Sequence, residues 1–121
     1  MIVNILGTDY EVLYKDYNED VEFMKEGNAG YNCAWNQTIN IGNLDTYPYF
    51  QNDPKICRDN LTKTTIRHEV IHAFLSEAGL RDSANLSPGS WAQNEEMVDW
   101  FAIQLPKINK VSEEIIDFIF K

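Results

Sequence analysis

An α+β fold is predicted by two stretches of alternating apolar residues, each broken by a turn, within the first 41 residues, and by long helical patterns that fill the second half. The first stretch, Ile2-Val3-Asn4-Ile5-Leu6, turns at Gly7-Thr8-Asp9 and returns as Tyr10-Glu11-Val12-Leu13-Tyr14, the pattern of a β-hairpin. Residues 18–27 place Val21 and Met24 three apart with Phe23 beside them and end on Gly27, which predicts a short helix with a glycine stop. Gly30 to Trp35 and Thr38 to Ile41, separated by Asn36-Gln37, predict a second hairpin. From Gly42 to Asn60 two prolines, with several Asn and Asp, predict a loop. Its Tyr47, Tyr49 and Phe50 are expected to pack over the core, with lining a cleft as the alternative.

A helix is expected from Asn60 or Thr62, either of which can cap it, to Ala78, with Gly79 as its stop. Ile66, Val70, Ala73, Phe74 and Glu77 fall on one side of it, and Thr65, His68, Glu69 and His72 on the other. A loop from Arg81 to Ser90 leads to a helix from about Trp91 to Leu105, stopped by Pro106. Ser112 is expected to cap a last helix, Glu113 to Phe120, whose Ile115, Ile116, Phe118 and Ile119 face the core by default, with an oligomer contact as the alternative for so apolar an end. No repeat, linker or low-complexity stretch interrupts the chain, so residues 1–121 are expected to form one domain.

Apolar residues make up 44% of the chain, which excludes a disordered protein. A net charge of −9, with ten Lys and Arg against nineteen Asp and Glu, argues against a nucleic-acid partner, because phosphate binding runs on basic side chains. No apolar run approaches the roughly 20 residues of a membrane span, and the first residues lack the basic segment of a signal peptide. The expectation is a cytoplasmic protein that meets no membrane. Two cysteines, Cys33 and Cys57, are too few for a disulfide framework and are expected as free thiols.

The only two histidines stand four residues apart with a glutamate after the first, His68-Glu69-Val70-Ile71-His72. On a helix, residues i and i+4 project one turn apart from one face, so both imidazoles can reach one Zn²⁺ while Glu69 sits beside the open coordination position. A hydrolytic zinc needs three protein ligands and a water. No histidine remains, so the third ligand must be Asp, Glu or Cys. Glu95-Glu96-Met97-Val98-Asp99 lies one loop downstream, and Glu95 with Asp99 shares one helix face. Glu95 is then the expected third metal ligand, and Asp99 the acceptor for the second ring nitrogen of a ligand histidine. Glu96 lacks such a partner, because Trp100 stands four residues on. Glu69 is the expected general base. Tyr31, Tyr47 and Tyr49 are alternatives for an oxyanion donor, with nothing in the sequence to choose among them.

The stretch from His68 to Leu75, followed by Asn94 to Ala102 and ending at Leu105-Pro106, resembles the ImmA/IrrE-type zinc metallopeptidases of bacteria and is similar to small prophage-encoded zincins. Glu95, Val98, Asp99, Trp100, Phe101 and Ala102 fall on that family's third-ligand pattern, with Val98 at a position usually held by alanine. A single leucine precedes Pro106, where two apolar residues and a methionine are common. The resemblance covers roughly residues 61–106. It implies a minimal zincin-like (gluzincin) fold, a small and mostly antiparallel sheet packed on the HExxH helix with a glutamate-bearing helix behind. It also implies an edge strand that pairs with an extended peptide, for which Thr38 to Ile41 is the candidate by position, and a protein or peptide substrate such as a repressor or other regulatory protein. The leading expectation is a zinc-dependent endopeptidase of limited specificity. A zincin-fold module acting by protein–protein contact without turnover is the alternative.

Overall fold

In the computed structural model, which describes residues 1–79 and 95–121, strands β1 (Ile2–Ile5), β2 (Thr8–Asp16), β3 (Gly30–Cys33) and β4 (Thr38–Asn43) form one sheet in the order β1-β2-β4-β3. Both expected hairpins are present as antiparallel pairs, and β2 joins β4 in parallel, with Val12 opposite Ile39 and Tyr14 opposite Ile41. The fold is α+β with a mixed, mostly antiparallel sheet. Because successive strand residues face opposite sides, this register aligns Val3, Ile5, Tyr10, Val12, Ile39 and Ile41 in one buried layer.

That layer packs against two long helices, α2 (Lys55–Glu77) and α3 (Glu95–Phe120), through Ile66, Val70, Ala73 and Phe74 of α2 and Ile108, Val111, Ile115 and Ile116 of α3. A second, smaller cluster gathers Phe23 of α1 (Val21–Glu26) with Leu44 and Tyr47, covered by Tyr17, Tyr31 and Phe50. Asp20 caps α1 by accepting from the Glu22 and Phe23 backbone N–H groups, and Gly27 ends it at a φ of 69°. Phe23 is the residue that α1 buries, while Val21 and Met24 are exposed.

The expected loop 42–60 is mostly ordered into two 3-10 turns, Leu44–Thr46 and Pro48–Phe50, and then into α2 itself. α2 thus starts earlier than Asn60 or Thr62. Thr62 Oγ1 donates to the Arg58 carbonyl and Thr64 Oγ1 to that of Asn60, so these hydroxyls bond back along a helix already formed instead of capping one. Upstream, the Arg58 guanidinium ties the first turn down through Asp45 and the Asp53 carbonyl.

Pro106 does not stop a helix. α3 runs through it to Phe120, and Ser112 donates to the Ile108 carbonyl in mid-helix instead of capping. An interior proline costs about 3 kcal/mol. Burying Ile108, Val111, Ile115 and Ile116 on the same continuous helix contributes roughly 1.5–3 kcal/mol per side chain, and Pro106 itself stands on the exposed side. The burial outweighs the lost hydrogen bond. The expected loop from Arg81 to Ser90 and the helix start at Trp91 lie outside the described residues.

Candidate metal centre

α2 carries the motif with its apolar stripe pressed on the sheet, and this rotation decides where each functional side chain points. Ile66, Val70, Ala73 and Phe74 are buried, whereas His68 and His72 are exposed on the outer side. The two imidazoles meet there, with Nε2 of His68 3.0 Å from Nε2 of His72 and ring centroids 4.6 Å apart. Zinc–nitrogen bonds of about 2.0–2.1 Å around a tetrahedral ion set two such nitrogens about 3.3 Å apart. The observed 3.0 Å is a hydrogen-bond distance between the two rings, and a small opening of the pair would reach the spacing that one shared ion requires.

Glu69 departs from the expected face. Its side chain is only 7% exposed while that of His68 is 64% exposed, because Glu69 turns under the sheet toward β3. Burial pushes its carboxyl up to about 7. Its Oε1 stays 4.0 Å from His68 Nε2, so the carboxylate remains next to the imidazole pair. A carboxyl with this affinity can take up or release a proton near neutral pH.

Two residues of β3 hold this turn of the helix. Asn32 Nδ2 donates to the Glu69 backbone carbonyl at 3.0 Å, and Gly30 lies so near that a Cβ there would stand 3.3 Å from Glu69 Cγ. Neither is prominent in sequence, although a glycine inside a strand pattern is a known sign of close backbone approach.

Thr38 to Ile41 is not an edge strand. β4 lies between β2 and β3, with its backbone groups spent on both neighbours, because the parallel β2–β4 pairing inserts it into the middle. The sheet edge beside the motif helix is β3. A backbone bond from Gly42 N–H to the Ala29 carbonyl marks the hydrogen-bonded pairs of this ladder. Gly30 and Asn32 therefore occupy the alternate positions, whose N–H and C=O point away from β4.

The three tyrosine alternatives are engaged elsewhere. Tyr31 donates to Asp20, Tyr47 is fully buried and donates to the Asn28 carbonyl, and Tyr49 meets Tyr17 hydroxyl to hydroxyl. Tyr31 points to the sheet face opposite α2, since its register partner is Asn40 while Gly30 and Asn32 face the helix. Cys33 is half-buried, Cys57 is exposed, and neither is joined in a disulfide.

Glu95 and Asp99 stand in the first turns of α3, and their side chains, like that of Glu96, lie outside the described residues. α3 is brought to α2 by Trp100, whose ring lies edge-on to Phe74 at 6.4 Å, two residues beyond His72. Trp100, the residue after Asp99, thus anchors this part of α3 against α2. Among the described residues, no group of three or more His, Cys, Asp and Glu side chains is placed to hold a metal ion. Compared with family models, curated proteins and solved structures, the chain matches none.

Proposed function

We propose that this protein is a zinc-dependent endopeptidase of limited specificity. The observation that carries the reading is the 3.0 Å approach of the two Nε2 atoms beside a buried glutamate. His68 and His72 would hold the ion, with Glu95 as third ligand and Asp99 behind a ligand histidine. Zinc bound there would acidify a water and polarise the scissile carbonyl. Glu69 takes the proton from the attacking water and passes it to the leaving amine, from a position shielded by β3. The outward groups of Gly30 and Asn32 receive an extended peptide along β3. By its resemblance to the ImmA/IrrE-type peptidases, the substrate is a protein such as a repressor. A cytoplasmic setting belongs to the same reading, since an exposed thiol such as Cys57 suits a reducing compartment.

Metal analysis of the native protein and of Glu69→Gln, both then incubated with host lysate, tests the proposal. Zinc in both and cleavage by the native form alone is expected, with the variant about 10²- to 10⁴-fold slower. Zinc without cleavage in either would favour a zincin-fold module that acts by contact. A protein that takes up no stoichiometric metal would overturn both readings.

A further inference from the structure

The Glu69 carbonyl sits in mid-helix, where the N–H four residues on is its ordinary partner, yet it also accepts the Asn32 amide at 3.0 Å. At Gly30 a Cβ would fall 2.7 Å from Thr65 Cγ2 and 2.9 Å from the Asn40 carbonyl oxygen. Only glycine lets β3 lie this close to the turn that contains Thr65 and Glu69. Asn32 consequently belongs to two contacts at once. Its backbone N–H and C=O face away from β4 along the sheet edge, and its side chain grips the backbone of the residue that bears the buried carboxyl.

We propose that Asn32 is a positioning residue, with Gly30 supplying the clearance, that sets the distance between Glu69 and a peptide strand lying along β3. The proposal rests on the peptidase reading given above. A peptide paired to the Asn32 backbone is then one side chain removed from the Glu69 turn, so a single amide transmits the register of the substrate to the base. A misplacement of about 1 Å between reacting groups costs about 10²-fold in rate.

Asn32→Asp keeps the size of the side chain but replaces the donor with an acceptor that faces the Glu69 carbonyl. Asn32→Ala removes the amide alone and serves if the aspartate variant does not fold. With a cleaved peptide in hand, the expected result is a kcat lower by about 10²-fold, with KM within about twofold, zinc content and thermal midpoint near those of the native protein. A kcat within about threefold of native, or a loss that follows zinc content, would overturn it. A second measurement needs neither zinc nor turnover. In metal-free protein labelled with ¹³C at glutamate carboxyls, the Glu69 resonance, assigned by its absence in Glu69→Gln, is expected to shift in the Asn32 variants at fixed pH. The Glu22 and Glu26 resonances on α1 should stay in place. If the native protein cleaves nothing, the peptidase reading fails, and an unmoved Glu69 resonance would then sink the positioning role separately.

Discussion

Glu69 and Glu77 lie eight residues apart on α2, and their carboxyls meet different fates. Glu69 is buried beside the histidines, whereas Glu77 accepts from Thr8 Oγ1 and from the Tyr10 hydroxyl, both at 2.8 Å. Glu77 thereby ties the end of the motif helix to the β1–β2 hairpin. Removing the Tyr10 hydroxyl should cost about 1.5 kcal/mol, as expected for a bond to a charged acceptor. Tyr10→Phe is predicted to lower the urea midpoint with an unchanged slope, since Tyr10 is fully buried and the replacement keeps its shape. At this scale the imidazole pair was legible, because i, i+4 spacing alone brings His68 and His72 together on any helix, whereas the inward turn of Glu69 was not. The β3 partners of Glu69 were not, because nothing local to Gly30 or Asn32 names the helix that will lie beneath them.

The elements differ in how far local signals governed them. α1 follows its local signals, with Asp20 at its start and Gly27 at its end. Burial works against ionisation of Asp20, but hydrogen bonds from Lys15, Tyr31 and the Phe23 N–H outweigh it and hold the carboxyl below the usual carboxylate range. A pKa depressed by folding contributes stability that is complete above the unfolded value of about 3.9 and is lost as pH falls through the folded value. Asp20→Asn should therefore show a shallower decline in thermal midpoint than the native protein as pH falls from about 5 to 2. α3 instead overrides its strongest local signal. Pro106→Ala restores a helix hydrogen bond on the exposed side and should raise stability by about 1–3 kcal/mol, read from chemical denaturation. An unchanged or lower midpoint would mean that the surrounding helix is already shaped around the proline.

Across the whole molecule, the core and the proposed metal site are separable. The main cluster joins sheet, α2 and α3 through aliphatic contacts that require no ion. Zinc should thus stabilise by mass action on a chain that folds without it, by about 2.7 kcal/mol when free metal is a hundredfold above its dissociation constant. Differential scanning calorimetry should show a cooperative transition after chelation, moved to lower temperature. A chelated protein with no cooperative transition would contradict this. The net charge of −9 acts at the same scale, as a field that repels polyanions and keeps copies of the chain apart. No helix among the described residues is long and apolar enough to cross a membrane.

Hairpin periodicity, the motif spacing and the glycine stop of α1 were determined by the sequence alone, because each rests on interactions within a few residues of chain. Strand order, the edge position of β3, the burial of Glu69 and the passage of α3 through Pro106 were decided only by the tertiary structure. Each of these depends on which apolar surfaces meet. A parallel β2–β4 pairing that aligns Val12 with Ile39 moves β4 inward and leaves β3 beside the motif, an outcome set by burial between distant segments and by no local pattern.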